Sequence, residues 1–239
     1  MYRDKTIIAI IPARGGSQGL PGKNILPFCG KPLISWTIAQ ALKSKYLDKV
    51  LVSTDEKKIA DIAQKYGADV PFLRPRRLAT AASNIIDVLI HTLDFINRKE
   101  KKYDLVMLLQ PTSPLRTSKD IDLAIELFFR EKAQAVISVC RSEHHPWWSV
   151  SLGNNLRVAE YLGQGKLHKN RQILPDFYRI NGAIYLTREI TLRQNKSFLG
   201  KSTYAYIMPV ERSLDIDSKL EFTLAEFLAD RERSKRTSF

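Results

Sequence analysis

The amino-acid sequence predicts an α/β protein built on a largely parallel sheet with helices on both faces. Three observations carry this. Short β-branched runs alternate with longer segments of helical periodicity over the first two-thirds of the 239 residues. The runs are apolar at successive positions, as strands covered on both sides must be. The composition, 44% hydrophobic and 26% charged, is that of an ordinary globular chain. Alternation of this kind is the signature of βαβ units, whose ligands bind beyond the carboxyl ends of the strands.

Taken in order, Lys5 to Ile11 is a buried strand ended by Pro12. Pro32 to Lys43 has helical spacing with proline in its first turn. Lys49 to Ser53 is a second strand, and Glu56 to Tyr66 a helix closed by Gly67. Asn84 to Asn97 is helical, Asp104 to Leu109 a third strand, Lys119 to Glu131 a helix and Ala135 to Cys140 a fourth strand. Between Arg141 and Asp176 the period is lost, and a compact domain rarely holds so long a structureless loop, so an antiparallel excursion or an association arm is expected there. Regularity returns at Gly182 to Leu186 and Tyr204 to Met208, and a helix follows from Ser218 to about Ala229. The tail from Arg231 reads as frayed and solvated.

The balance of 38 Lys and Arg against 25 Asp and Glu gives a net charge of +13. That charge suits either a generally basic surface or an anionic partner. Basic residues are spread along the chain, and zinc-finger, RNP-type aromatic and basic-zipper patterns are missing, so nucleic acid is the minor reading. Cys29 and Cys140 are isolated thiols that suit a reducing compartment. No apolar run approaches the roughly 20 residues of a membrane span, and Ile7 to Ile11 is too short for a signal peptide. A cytoplasmic protein with no membrane association is expected.

The first strand runs directly into PARGGSQGLPGKN. Glycines at 15, 16, 19 and 22 let backbone amides approach a ligand, and Arg14 and Lys23 bracket them with positive charge, as a polyphosphate requires. Two phosphate-loop templates fail. Gly22-Lys23 is followed by Asn24 and preceded at the required distance by Ser17, which breaks the Walker A spacing, and Gly15-Gly16-Ser17 breaks the dinucleotide spacing.

With these residues in view, IPARGGSQGLPGKN resembles the opening signature of the acylneuraminate cytidylyltransferases, the CMP-sialic acid synthetases and their relatives. VSTDEKKIA (Val52 to Ala60), RPRRLA (Arg74 to Ala79), LLQPTSPLRT (Leu108 to Thr117), SEHHP (Ser142 to Pro146), NGAIYL (Asn181 to Leu186) and SLDIDSKLEF (Ser213 to Phe222) are similar to six further segments in the family's order. The resemblance implies a Rossmann-like nucleotide-diphospho-sugar transferase fold with a mixed sheet. It implies one domain over 1–239, with residues 141–180 as a small dimerisation arm within it, a homodimer and a need for Mg²⁺. Known members join CTP to a nonulosonic acid, an acidic nine-carbon sugar, and release pyrophosphate.

The same resemblance distributes roles. Arg14, Gly15, Ser17 and Lys23 would contact the triphosphate and Asn24 the ribose. Arg74, Ser83 and Gln110 would contact the cytosine, and a glutamine amide, which donates and accepts at once, suits a pyrimidine edge. Gln110, Arg171, Arg179, Asn181 and Tyr185 would face the sugar, Arg171 as an electrostatic helper, because arginine holds a carboxylate bidentately. Asp215 and Asp217, one residue apart, would present both carboxylates to one side of an extended segment and hold the metal, Asp217 directly. Taken alone, that pair equally suits solvated aspartates at a helix start. Arg14, Lys23, Arg171 and Asp217 are the catalytic candidates.

Four positions depart from the usual pattern: Gln18 for a lysine, Ala81 for an aspartate, Ile85 for a small hydroxyl residue and Trp148 for a lysine. Trp148, beside Trp147, either lines a less polar sugar pocket or packs a dimer contact. His144 and His145 would face opposite sides of a strand and so would not share a metal.

Overall fold

The computed structural model describes residues 2–17, 19–161 and 174–237. In chain order the elements are β1 (Ile7–Pro12), β2 (Pro27–Phe28), β3 (Lys31–Pro32), α1 (Leu33–Leu42), β4 (Lys49–Ser53), α2 (Lys57–Lys65), α3 (Ile85–Lys99) and β5 (Leu105–Leu108). There follow α4 (Ser118–Arg130), β6 (Ala135–Arg141), β7 (Val150–Leu152), β8 (Val158–Tyr161), β9 (Tyr178–Arg188), α5 (Glu189–Asn195), β10 (Thr203–Ile207) and α6 (Lys219–Thr237).

The main sheet has the order β10-β6-β9-β5-β1-β4. β1 pairs in parallel with β4 and β5, β10 pairs in parallel with β6, and β9 runs antiparallel between β5 and β6. The alternating side chains of β1 show why both faces need helices. Ile7, Ala9 and Ile11 pack with Ile34 and Ile38 of α1, Ile59 of α2 and Ile121 and Phe128 of α4. Ile8 and Ile10 face the other way, onto Leu89, Leu93 and Ile96 of α3 and Leu192 of α5. Each fully buried Ile of this strand contributes about 1.5–3 kcal/mol through apolar burial.

A third cluster fixes one rim of the sheet's carboxyl end. Phe28, Leu33, Ile216, Phe222 and Ala225 are buried together, with the Phe28 ring edge-on to Phe222 at 5.6 Å and to Trp36 at 5.7 Å. α6 begins with a reciprocal cap: the Glu221 carboxylate accepts from the Ser218 amide (2.7 Å) while the Ser218 hydroxyl accepts from the Glu221 amide (3.3 Å). α4 is closed likewise by Thr117 and Asp120.

The four early strands and the helices between them lie where periodicity places them. Three features differ from expectation. The segment around Gly182 is a long antiparallel strand that extends to Arg188, and α5 follows it unforeseen, in a stretch too short for a clear helical period. α6 continues to Thr237 because nothing in RERSKRT stops a helix, although the charge run reads as frayed. The excursion holds a two-stranded antiparallel ladder of β7 and β8, in line with one of the two expectations for it.

Candidate active site

The carboxyl ends of β1 and β5 open onto a cavity of about 550 Å³. One wall is the loop after β1. Ala13 donates to the Ser53 carbonyl at 2.9 Å, and Gly15 donates its amide to Asp55 Oδ1 at 3.1 Å. Asn24, buried in the turn that follows, donates to the Arg14 carbonyl at 3.0 Å and so closes the loop on itself. Gly19 passes so near the opposite wall that a Cβ there would sit 2.3 Å from the Asp217 carbonyl oxygen. Only glycine permits that approach.

The opposite rim is the segment before α6. Ile216 is anchored in the third cluster and donates its amide to the Thr112 carbonyl at 2.9 Å. Its neighbours Asp215 and Asp217 therefore both turn into the cavity. Asp217 is 74% exposed and accepts from Lys23 Nζ at 2.7 Å, and Lys23 also donates to the Ile216 carbonyl at 2.9 Å. Burial pushes the Asp215 carboxyl above the usual carboxylate range, with Asp217 adding to it. Asp215 Oδ1 is buried with no hydrogen-bond partner among the described residues. The described residues contain no group of three or more His, Cys, Asp or Glu placed to hold a metal. Two carboxylates, one with an orphaned oxygen, nonetheless suit a hard divalent cation that completes its shell with water and phosphate oxygens.

The floor and far wall come from the ends of β4 and β5 and the start of α3. Arg74 is 5% exposed, with Nη2 3.6 Å from Asp55 Oδ1. Burial depresses its guanidinium despite Asp55, and Arg14 adds to the effect. Arg14 itself donates to the Thr80 carbonyl at 3.0 Å. Ser83 ties the same turn, where its hydroxyl accepts from the Thr80 amide at 3.0 Å. Ala81 and Ile85 line this wall, so the two departures at those numbers fall directly on the cavity. Gln110 and Thr112 complete the lining from the loop after β5.

One cavity thus gathers Arg14, Ser17, Lys23, Asn24, Arg74, Ser83, Gln110, Asp215 and Asp217 from segments far apart in sequence. A family model described as cytidylyltransferase matches residues 8–211. The chain belongs to the cytidylyltransferase family. It is 38% identical over 227 residues to a CMP-N,N'-diacetyllegionaminic acid synthase of Legionella pneumophila, covering 94% of this chain and 96% of that protein. It is 40% identical over 220 residues to an N-acylneuraminate cytidylyltransferase of Escherichia coli, covering 92% of this chain but 51% of that protein, so it spans about half that relative's length. Among solved structures it is similar to a CMP:2-keto-3-deoxy-manno-octonic acid synthetase complexed with CTP, at a TM-score of 0.70 and 18% identity over 95% of this chain and 99% of that one. That likeness shows the Rossmann-like nucleotide-sugar transferase fold. The chain is a nucleotidyltransferase, and both curated relatives are named for joining CMP to a nonulosonic acid.

Of the sugar-side candidates Gln110 lines the cavity, whereas Arg179, Asn181 and Tyr185 are not among its lining residues. Asn181 is buried in a polar network. Its Oδ1 accepts from Ser138 at 2.6 Å and its Nδ2 donates to Ser213 at 2.8 Å, so the amide braces the wall behind the cavity instead of facing it. Arg179 donates to the Ser213 carbonyl at 3.2 Å, and Tyr185 packs on Phe198 at 5.3 Å. Burial raises the Tyr185 hydroxyl, with the charge of Asp215 adding to it. Arg171 and Gln18 lie outside the described residues. His145 sits between Trp147 (4.6 Å) and Phe177 (4.5 Å), an aromatic knot at the base of the excursion, and Trp148 borders it away from the cavity.

Sequence reasoning missed Asp55 and Gly182. Asp55 stands at the carboxyl end of β4, a position that marks ligand sites in such sheets. Gly182 has φ +74°, and a Cβ there would meet Gln110 Oε1 at 2.7 Å and Asp215 Oδ2 at 3.0 Å.

Proposed function

We propose that this cleft transfers CMP from CTP to the anomeric hydroxyl of a nonulosonic acid of the sialic, legionaminic or pseudaminic type. The observation that carries it is the opposition of two charges across one cavity: the loop cations Arg14 and Lys23 face the carboxylates Asp215 and Asp217. That is what a metal-bridged triphosphate needs on its two sides.

The roles follow from position. Arg14 and Lys23 hold the triphosphate, with Gly15 and Ser17 shaping the loop that carries them. Asn24 keeps the loop shaped beside the ribose. Arg74, Ser83 and Gln110 line the cytosine side, where Arg74's buried guanidinium, paired through Nη2 with Asp55, offers an Nε that has no hydrogen-bond partner among the described residues. Asp215 and Asp217 would hold Mg²⁺, which when bound would neutralise charge that develops on the phosphates. The sugar hydroxyl displaces pyrophosphate from the α-phosphorus in line, and the protein's contribution is alignment and fixed charge. The family resemblance supports a sugar-side role for Arg171, Arg179 and Tyr185, Arg171 as a cation for the sugar carboxylate, with Arg179 and Tyr185 standing behind the cavity lining.

We place the enzyme in the cytoplasm as a homodimer joined through residues 141–180. Val150, Leu152, Leu156 and Val158 of this excursion are exposed apolar residues that pairing with a second copy would cover. No helix among the described residues is long and apolar enough to cross a membrane.

The test is a panel of nine-carbon acidic sugars, with an eight-carbon keto acid sugar as comparator, offered with CTP and Mg²⁺ while pyrophosphate is followed. Release that requires one of the nine-carbon acids is expected. Release with none of them, or only with the eight-carbon sugar, refutes the proposal.

A further inference from the structure

Arg116 plays no part in the cavity, yet it is 1% exposed, among the most deeply buried side chains of the protein. It stands one residue before the cap of α4. Its Nη1 donates to the Ala183 carbonyl at 2.6 Å and to the Gln110 carbonyl at 3.4 Å. Nε and Nη2 have no hydrogen-bond partner among the described residues. Burial pushes the guanidinium down to about 9, against the opposing charge of Asp120. Asp120 is itself engaged by Arg212 at 2.7 Å and by Tyr206 at 3.0 Å.

A buried cation with idle donors does little for stability, because well-packed apolar residues commonly serve as well or better. Its placement has a different use. The two carbonyls it grips belong to the loop after β5 and to β9, just beyond the last paired residues, Leu108 and Tyr185. Among the described residues no ladder bond joins the two chains there; the Gln110 carbonyl also accepts from the Ser113 amide at 3.4 Å and the Thr37 hydroxyl at 3.5 Å, but neither donor reaches β9. Between those chains the Gln110 amide lies against Gly182, close enough that a single methyl group would collide with it. A single nitrogen, Nη1, spans both backbones, and the rigid planar group holds it at a reach that a shorter ammonium on a flexible stem does not reproduce.

We propose that Arg116 is a positioning residue that clamps the Gln110 and Ala183 carbonyls and thereby holds the Gln110 amide in register with the cytosine edge. This rests on Gln110 reading the base. The clamp sets nucleotide choice and leaves the fold largely untouched.

The experiment compares Arg116→Met, Arg116→Lys, Gln110→Ala and the double variant Arg116→Met with Gln110→Ala. It records kcat/KM for CTP against UTP, together with the unfolding temperature of the full chain. Arg116→Met removes the costly charge, so it should fold with an unchanged or higher Tm while its CTP preference drops about tenfold, and Arg116→Lys should drop it similarly. A tenfold loss is the scale of one misplaced hydrogen-bonding group. Gln110→Ala should lose at least as much, and adding Arg116→Met to it should lose nothing further, the mark of two residues acting as one unit. An unchanged preference in both Arg116 variants beside a lowered one in Gln110→Ala overturns the clamp alone, as does full additivity in the double variant. An unchanged preference in Gln110→Ala overturns the base reading and the clamp with it.

Discussion

Gly182→Ala puts the geometry of the cavity wall to a direct test. The backbone at 182 has φ +74°, where an L residue with a Cβ costs about 1–2 kcal/mol. The added methyl would also stand 2.7 Å from Gln110 Oε1 and 3.0 Å from Asp215 Oδ2. Gln110 can swing its amide away, but Asp215 adjoins Ile216, whose amide is tied to Thr112 and whose side chain is locked in the core. Overpacking of this kind costs a further 1–3 kcal/mol or so. The expected loss is about 2–5 kcal/mol, which for a chain of this size lowers Tm by roughly 4–20 °C. Turnover should fall about 10–100-fold, because displacement of positioning groups by a fraction of an ångström is enough. Thermal unfolding followed by circular dichroism and a coupled pyrophosphate assay measure the two effects. Gly182→Asn separates them: asparagine tolerates the left-handed region, so part of the Tm should return while turnover stays low. Wild-type stability and turnover in Gly182→Ala would falsify the close approach of Gln110 and Asp215 to this strand.

The other predictions concern the charges. Asp215→Asn removes a carboxylate that burial penalises, so it should raise stability by on the order of 1 kcal/mol while turnover is lost; a lowered Tm with retained activity contradicts both halves. Lys23→Ala should raise the KM for CTP about 10–100-fold, the worth of a charge-assisted phosphate contact, and unchanged CTP kinetics would remove Lys23 from the phosphate site. Asp217→Ala should abolish turnover with Tm nearly unchanged, since Asp217 is exposed, and near-normal activity refutes its metal role. Burial pushes Asp120 up, but hydrogen bonds from Arg212 and Thr117 outweigh it and hold its carboxyl below the usual range. Its stabilisation is therefore complete above the ordinary carboxylate value and drains as pH falls from about 4 through the lower folded value. In urea titrations across that range the wild type should lose its advantage over Asp120→Asn, and a constant gap between them contradicts the assignment.

Most of the cavity lining was legible because its pattern is local. A glycine turn after a strand, flanked by Arg14 and Lys23, marks a loop suited to an anion before any fold is known, and the one-residue spacing of Asp215 and Asp217 does turn both to one side, with Ile216 buried between them. The rest depends on partners distant in sequence. Asn181 reads as a pocket residue by its motif, but Ser138 and Ser213 consume its amide. Nothing in the local sequence sets Arg116 apart, and its burial follows from the packing of β9 behind it. The direction of β9 was equally hidden, since a short run covered on both faces looks alike whether it pairs parallel or antiparallel.

β9 also dictates when the protein can become itself. β4, β1 and β5 are all present once Leu108 has been synthesised, and β6 is complete at Arg141. Yet among the described residues β5 and β6 are not paired, and β9 is the strand that pairs with both. Until Arg188 leaves the ribosome, the nascent chain therefore carries two fragments with open strand edges, the condition that invites aggregation. Gly182 belongs to that strand, and Asp215 and Asp217 follow it. The cavity they line cannot form before them, so the burden of guarding those edges falls on the speed with which β9 is delivered and inserted.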